Sequence, residues 1–162
     1  MHDSGMNVVI AGAGIGGLTL AAALQKEGVA VRVVERAKKL EPVGAGLVVQ
    51  INAMRALAHY GFVDPVLASG VSLDETLRRD WQGRVLTKGS LTPFVQKYGQ
   101  RMLCAQRARL HEALRGLLAP DTLQLGRGVT KYVESADGVS VTLDDGETLK
   151  ADLLVGCDGL RS

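Results

Sequence analysis

The sequence has few cysteines and no dense block of one charge. Only two of its 162 residues are cysteine, Cys104 and Cys157, and neither belongs to a C-x-x-C pair or a Cys/His cluster. A zinc site, a redox-active pair and a disulfide framework therefore lack support, and a reducing compartment is favoured. The histidines also lack metal-ligand spacing, so no metal is expected.

The chain also has no long apolar stretch. No run of about 18 apolar residues occurs, and the first six residues lack the basic and apolar segments of a secretory leader. The net charge of +2 comes from lysines and arginines spread along the chain. Such a pattern does not indicate nucleic-acid or membrane binding. We therefore expect a cytoplasmic protein, with one globular core for 162 residues of 46% hydrophobic composition.

The N-terminal part of the chain predicts a β-α-β unit. Residues 7–11 form a short apolar run that ends in a glycine cluster, as a buried parallel strand does. Residues 15–27 have an apolar face and end at Gly28, which is typical of a helix with a left-handed cap. Residues 29–35 predict a second strand. The span of about 30 residues matches a right-handed crossover unit.

The remaining elements are shorter. In chain order, the pattern predicts an extended segment (47–51), a helix (53–60) capped by Asn52, a short helix from Asp64, a hairpin (75–80 with 84–88), a strand (101–105), a helix (107–118), three alternating strands within 123–149 and a last strand (153–155). The fold class is therefore α/β, with a Rossmann-like βαβ unit and a three-stranded antiparallel β-meander.

The turn between the first strand and the first helix carries the strongest motif, G-x-G-x-x-G at Gly12, Gly14 and Gly17. Gly12 permits the sharp turn, Gly14 lets a pyrophosphate approach the backbone, and Gly17 lets helix and strand pack closely. Glu35 ends the second strand, where a carboxylate accepts hydrogen bonds from ribose hydroxyls. These features predict a dinucleotide site, although a glycine-rich turn without a ligand stays open. The motif alone does not separate FAD from NAD.

Segments outside the glycine motif bear on the choice between FAD and NAD. The sequence resembles the flavoprotein aromatic hydroxylases, the single-component FAD-dependent monooxygenases of the p-hydroxybenzoate hydroxylase type. The resemblance is carried in the same chain order by residues 11–17, Glu35-Arg36, residues 44–47 leading to Asn52, residues 107–114 and residues 152–162.

This resemblance implies FAD as the cofactor and NAD(P)H as the co-substrate. The implied FAD contacts are Gly12, Gly14, Ile15, Gly16 and Gly17 at the pyrophosphate, Glu35 and Arg36 at the adenosine, Gly46 with Gly44 in a loop close to the cofactor, Arg107 at the phosphate or ribityl chain, Val129 at the adenine and Asp158 near the pyrophosphate.

Simpler explanations stay open for several of these residues. Arg36 would also suit a solvated surface, the two loop glycines a plain turn, Val129 a core position and Asp158 a strand-end turn. Arg109 competes with Arg107. No residue is assigned as a general acid or base.

The implied activity is NAD(P)H-dependent hydroxylation of a small aromatic substrate. Family members continue well beyond this chain, so we expect residues 1–162 to form an FAD-binding domain that is incomplete relative to the family, with residues 72–99 as a partial, truncated substrate-domain hairpin inserted in it. Whether this chain alone is an enzyme is left open.

One alternative is a stand-alone nucleotide-binding module that acts with a partner chain or by self-association, which would cover apolar surface and sheet edges. Another is a related flavin reductase. A third is an NAD-dependent dehydrogenase, but residues 44–52 and Asp158 argue against it.

Overall fold

A computed structural model describes residues 5–41 and 44–159 of the chain. Its helices and strands, in chain order, are β1 (Asn7–Ala11), α1 (Ile15–Lys26), β2 (Ala30–Glu35), β3 (Gly46–Val49), α2 (Ile51–His59), α3 (Val63–Leu67), β4 (Gly70–Leu73), β5 (Glu75–Arg79), β6 (Val85–Ser90), α4 (Thr92–Tyr98), β7 (Met102–Gln106), α5 (Arg107–Arg115), β8 (Leu123–Leu125), β9 (Val129–Ser135), β10 (Gly138–Leu143), β11 (Thr148–Ala151) and β12 (Leu153–Gly156).

The chain divides into two compact units. The first unit combines Met1–Glu41 with Leu114–Ser162, and the second is Pro42–Ala113.

A parallel sheet with the strand order β12-β1-β2-β8 forms the centre of the first unit. Its central strand β1 is buried because both faces of the sheet are covered. On one side, Leu18, Ala21 and Ala22 of α1 are buried. On the other side, β1 and β2 share a core with the meander β9-β10-β11, formed by Val9, Ala11, Val34, Val139, Val141, Leu143, Leu149 and Ala151. Burial on both faces explains why residues 7–11 read as a continuous apolar run.

The predicted β-α-β unit, the meander and the α/β fold class are confirmed. β1 has the predicted bounds, α1 ends one residue early at Lys26, and Gly28 has the expected positive φ of 79°. The three predicted meander strands are β9, β10 and β11. The same stretch also holds a fourth strand that was not predicted: Leu123–Leu125 extends the parallel sheet beside β2, with Val33 opposite Leu123, and the meander begins at Val129.

The second unit contains an antiparallel sheet, β3-β7-β4, and the separate hairpin β5-β6. The hairpin was predicted correctly. The cap of α2 was wrong, because Gln50 is its N-cap and Asn52 lies in the first turn. The sequence pattern missed β4 and α4, and α5 ends at Arg115 rather than at residue 118.

Within residues 5–41 and 44–159, no helix is long and apolar enough to cross a membrane. The same residues contain no group of histidine, cysteine and carboxylate side chains that would hold a metal ion.

Candidate functional site

Two glycines of the turn between β1 and α1 are required by the packing of the protein itself. Gly12 has a φ of 107°, and a Cβ there would collide with the carbonyl oxygen of Cys157, just past β12. A Cβ on Gly17 would collide with the carbonyl oxygen of Gly12. Backbone hydrogen bonds fix this close packing, because the Gly12 N–H donates to Val34 O at 2.8 Å and the Cys157 N–H to Ala11 O at 2.6 Å.

Gly14 and Gly16 differ from these two. Gly14, the N-cap of α1, has a φ of −71° and a ψ of 179°, which any residue adopts. A Cβ built on Gly14 or Gly16 would meet no atom of the described residues within 4 Å. Neither backbone conformation nor internal packing therefore demands glycine at these positions.

The open space at Gly14 and Gly16 lies at the N-terminus of α1. No side chain from the described residues caps this helix, and its first turn carries no acidic residue. The first N–H groups of a helix and its partial positive charge favour an anionic oxygen ligand. A phosphate group fits here, since only glycine lets it come close to the backbone.

The Glu35 carboxylate joins this turn to the end of β2. Its Oε2 accepts a hydrogen bond from the Ala13 N–H at 2.9 Å, and its Oε1 accepts one from the Ala37 N–H at 2.8 Å. A carboxylate has about four acceptor positions, so each oxygen retains a lone pair for another donor. Ribose hydroxyls are suitable donors for this purpose.

A cleft of about 160 Å³ opens beside Glu35. Its lining includes five residues that the sequence singled out, Gly12, Glu35, Arg36, Val129 and Asp158, together with Ala11, Val34 and Gly128. The cleft therefore brings together residues from the turn between β1 and α1, the end of β2, the start of β9 and the segment after β12. Val129 is also packed against the apolar core, so it belongs to both environments.

A larger groove of about 780 Å³ continues from this cleft and shares Ala11, Val129 and Asp158 with it. Residues of β9, β10 and β12 form its remaining sides. The sequence pattern did not single out Gly128 in the cleft or Lys131 in the groove. A signal for Gly128 was present in the Gly126-Arg127-Gly128 spacing directly after a short strand.

Cys157 precedes Asp158 at the same edge of the first unit. Burial is the main cause that raises the pKa of the Cys157 thiol, and the negative charge of Asp158 raises it further. The thiol therefore stays neutral around neutral pH, and thiolate chemistry is not favoured here.

The second unit brings together Gly44, Gly46 and Arg107. Gly44 has a φ of 125°, and a Cβ there would lie 2.7 Å from Cδ of Arg107, so glycine leaves room for the arginine side chain. Gly46 pairs with Gln106, the residue before Arg107, across β3 and β7. A Cβ on Gly46 would make only an ordinary contact, 3.5 Å from Ala105 O.

Residues 5–162 match the model of a protein family described as FAD binding domain. FAD-dependent urate hydroxylase of Klebsiella pneumoniae is 37% identical to the chain over 158 residues, which are 97% of this chain and 41% of the hydroxylase. 3-Amino-4-hydroxybenzoate 2-monooxygenase of Streptomyces cremeus is 36% identical over 164 residues, which cover 100% of this chain and 42% of that enzyme. The chain thus spans about two-fifths of the length of these curated relatives.

Two solved structures are also similar to this chain, which covers about two-fifths of each. The crystal structure of Klebsiella pneumoniae HpxO complexed with FAD and uric acid has a TM-score of 0.85 at 34% identity, over 94% of this chain and 39% of that one. The tetrameric form of 2-methyl-3-hydroxypyridine-5-carboxylic acid oxygenase has a TM-score of 0.78 at 30% identity, over 97% of this chain and 40% of that one.

Proposed function

Since this chain belongs to the FAD binding domain family over residues 5–162, we propose that it is the FAD-binding part of an NAD(P)H-dependent flavin monooxygenase. The substrate class we propose is a small aromatic or heteroaromatic molecule. The urate and 3-amino-4-hydroxybenzoate named for the relatives are both small planar rings.

The observation that carries the proposal is the open space at Gly14 beside the Glu35 cleft. We assign the FAD pyrophosphate to the N–H groups at Gly14, Ile15, Gly16 and Gly17, where the helix N-terminus is uncapped by any described side chain. We assign the ribose to the free lone pairs of Glu35 and the adenine to the cleft wall at Arg36 and Val129. Asp158, which lines the same cleft, would lie near the pyrophosphate.

In the second unit, we assign Arg107 to the phosphate or ribityl region of FAD, in the part of the chain around Gly44 and Gly46. A guanidinium suits a phosphate because it donates charge-assisted hydrogen bonds in a fixed planar geometry. Gly44 supports this role because its missing side chain makes room for the Arg107 side chain. We also propose residues 72–99, which contain the exposed hairpin β5-β6, as a first piece of a substrate domain.

When bound, FAD supplies the redox chemistry of hydroxylation, accepting electrons from NAD(P)H and activating dioxygen. The residues of this chain bind and orient the ADP half. They fix the phosphates at α1 and the ribose at Glu35, and so determine where the rest of the cofactor extends.

We further propose that self-association or a partner chain covers part of the surface. Several large apolar side chains of the first unit are exposed at β9 and β12, namely Tyr132, Val133 and Leu153. Tyr132 and Leu153 line the same groove, and clustered exposed apolar side chains often mark interaction sites. The tetrameric form of the oxygenase described above supports this proposal.

We also propose a cytoplasmic location, which the low cysteine content supports.

The direct test is the visible spectrum of the purified chain followed by titration with FAD. We expect a flavin absorption band that is released on denaturation, or quenching of flavin fluorescence on titration. FMN is the matched control ligand, because it lacks the adenosine half, and we expect it to bind much more weakly. A chain that binds NAD and never FAD would contradict the proposal.

A further inference from the structure

The loop between β8 and β9, residues 126–128, connects the end of β2 with the turn between β10 and β11. The Gly126 N–H donates to Ala37 O at 3.0 Å, and the Arg127 N–H donates to Glu35 O at 2.9 Å. On the other side, Gly128 O accepts a hydrogen bond from the Asp144 N–H at 2.8 Å. The loop is therefore held by its backbone between two separate elements of the first unit.

The side chain of Arg127 makes a second set of contacts with the turn between β10 and β11. Its Nε and Nη2 donate to Asp145 Oδ2 at 3.0 and 2.6 Å, and Nη2 also donates to Glu147. Its Nη1 donates to Gln124 Oε1 at 2.8 Å, in β8. The guanidinium thus links β8, its own loop and the turn between β10 and β11.

Shielding distinguishes this ion pair from an ordinary surface pair. The Arg127 side chain is only 18% exposed, although Asp145 and Glu147 are about half exposed. The hydrogen bond to Glu147 is the main cause that raises the pKa of Arg127. The pKa of Asp145 is lowered, first by the hydrogen bond from the Glu147 N–H and then by Arg127. Networks with several partners are more rigid than isolated surface pairs.

The loop that Arg127 holds is a wall of the Glu35 cleft. Gly128 and Val129 line the cleft, whereas Arg127 is not among the described residues that do so. The wall is tightly packed, because a Cβ on Gly128 would lie 3.2 Å from both Arg36 Cβ and Asp144 Oδ2. A displacement of the loop would therefore change the cleft directly.

We propose that Arg127 is a positioning residue for the bound cofactor, which holds residues 126–129 in place against the adenosine end of FAD. This inference rests on the proposed function, since it assumes that the cleft takes adenosine. Arg127 acts through Gly128 and Val129 and does not touch the ligand. Binding sites depend on such supporting contacts, because small displacements of the contacting groups reduce affinity.

The test compares FAD and ADP binding by Arg127→Gln, Arg127→Lys and the unaltered chain. We expect Arg127→Gln to raise the Kd for both ligands about tenfold, because residues 126–129 would no longer be held against the adenosine end of the ligand. The two Kd values should rise by the same factor, because ADP carries the adenosine that the loop contacts. Arg127→Lys keeps the charge and should recover at least half of the loss on a logarithmic scale. The melting temperature of each variant is measured in parallel. If binding were lost through general unfolding, the melting temperature would fall, and Arg127→Lys would not restore the affinity at an unchanged melting temperature.

Arg84→Gln is the matched control, because it removes an Arg–Asp ion pair with Asp80, 2.8 Å long, in the hairpin of the second unit. This control should leave the Kd for FAD unchanged. If Arg127→Gln does not fold, the double variant Asp145→Asn with Glu147→Gln breaks the same two ion pairs from the acidic side while keeping the arginine. A Kd within twofold of the unaltered chain in whichever variant folds overturns the inference. Failure of the unaltered chain to bind FAD would instead overturn the proposed function.

Discussion

The glycines of the turn between β1 and α1 have different physical reasons for being glycine. Gly12 and Gly17 lie where a Cβ would collide with backbone carbonyl oxygens of the protein. Gly14 has open space around it and a backbone conformation that is allowed to every residue. Gly12 and Gly17 are therefore required by the packing of the fold, and we propose that Gly14 is glycine because a ligand approaches it.

Alanine substitutions at Gly12 and Gly14 should separate these roles. Gly12→Ala combines a positive φ with a backbone collision, and we expect it to lower the free energy of unfolding by about 2–4 kcal/mol. Gly14→Ala should change that free energy by less than about 1 kcal/mol, because a small capping loss and a small entropic gain oppose each other. It should nevertheless weaken FAD binding, because its methyl group would stand where the phosphate approaches.

Chemical denaturation of the FAD-free chain and FAD titration measure the two effects. Equal destabilisation by both substitutions, or full FAD affinity in Gly14→Ala, would contradict this division of roles.

The residues of the cleft illustrate how far sequence alone reaches at this scale. Glu35 was found because its spacing from the glycine motif is local and regular. In the structure it lies beside the turn between β1 and α1, where its carboxylate accepts a hydrogen bond from the Ala13 N–H. Gly128 was missed because its importance arises from Arg36 and Asp144, which lie on two other segments. A single-residue pattern carries no information about such neighbours.

At the scale of elements, strong apolar runs next to glycine gave the bounds of β1 and, to within one residue, those of α1. The start of α2 was wrong because β3 ends at Val49, paired with Leu103, and the helix begins immediately afterwards. This tertiary constraint overrides the preference of Asn52 for an N-cap. α4 was missed although Leu91, Phe94, Val95 and Tyr98 have the spacing of an apolar helix face, because the helix has only seven residues and none of them is buried. Pro93 and Gly99 marked its ends.

The meander provides an element-scale prediction. Leu143 on β10 is 1% exposed and packs in the core shared with the parallel sheet. We expect Leu143→Ala to lower the free energy of unfolding by about 2–5 kcal/mol, through lost burial and a cavity. Leu153→Ala is the control, because Leu153 on β12 is 48% exposed; it should cost well under half as much. Urea denaturation gives both values, and similar losses would argue against a core between the meander and the sheet.

At the scale of the whole molecule, the order of several weak segments predicted the family, and the match over residues 5–162 confirms it. Sheet membership was harder to predict. β8 pairs with β2, and the loop after it connects to the β10-β11 turn. Alternation of apolar and polar residues indicates a strand, but it does not indicate which strand pairs with it. The alternation depends on neighbouring residues, whereas pairing depends on residues far away in the sequence.

The exposed apolar residues of the first unit lead to a prediction about association. Light scattering after size exclusion should give a mass above the 17.1 kDa of one chain and a dependence on concentration. Leu153→Lys places a charge on exposed β12 and should shift the population toward the monomer, because a buried unpaired charge is costly. Lys131→Arg, on β9 in the same groove, keeps its charge and should leave the mass unchanged. A chain that is monomeric at every concentration tested would contradict self-association.

The two backbone hydrogen bonds of Glu35 also bear on the kinetics of cofactor capture. Its carboxylate is already immobilised by Ala13 and Ala37 before any ligand arrives, so that part of the side-chain entropy is lost during folding rather than during binding. An incoming ribose would meet acceptors that are already oriented, and no rearrangement of this side chain would delay the encounter. Association at this end of the cofactor should then approach the rate for a rigid site, and differences in affinity among variants of the surrounding wall should appear mainly in the rate of release.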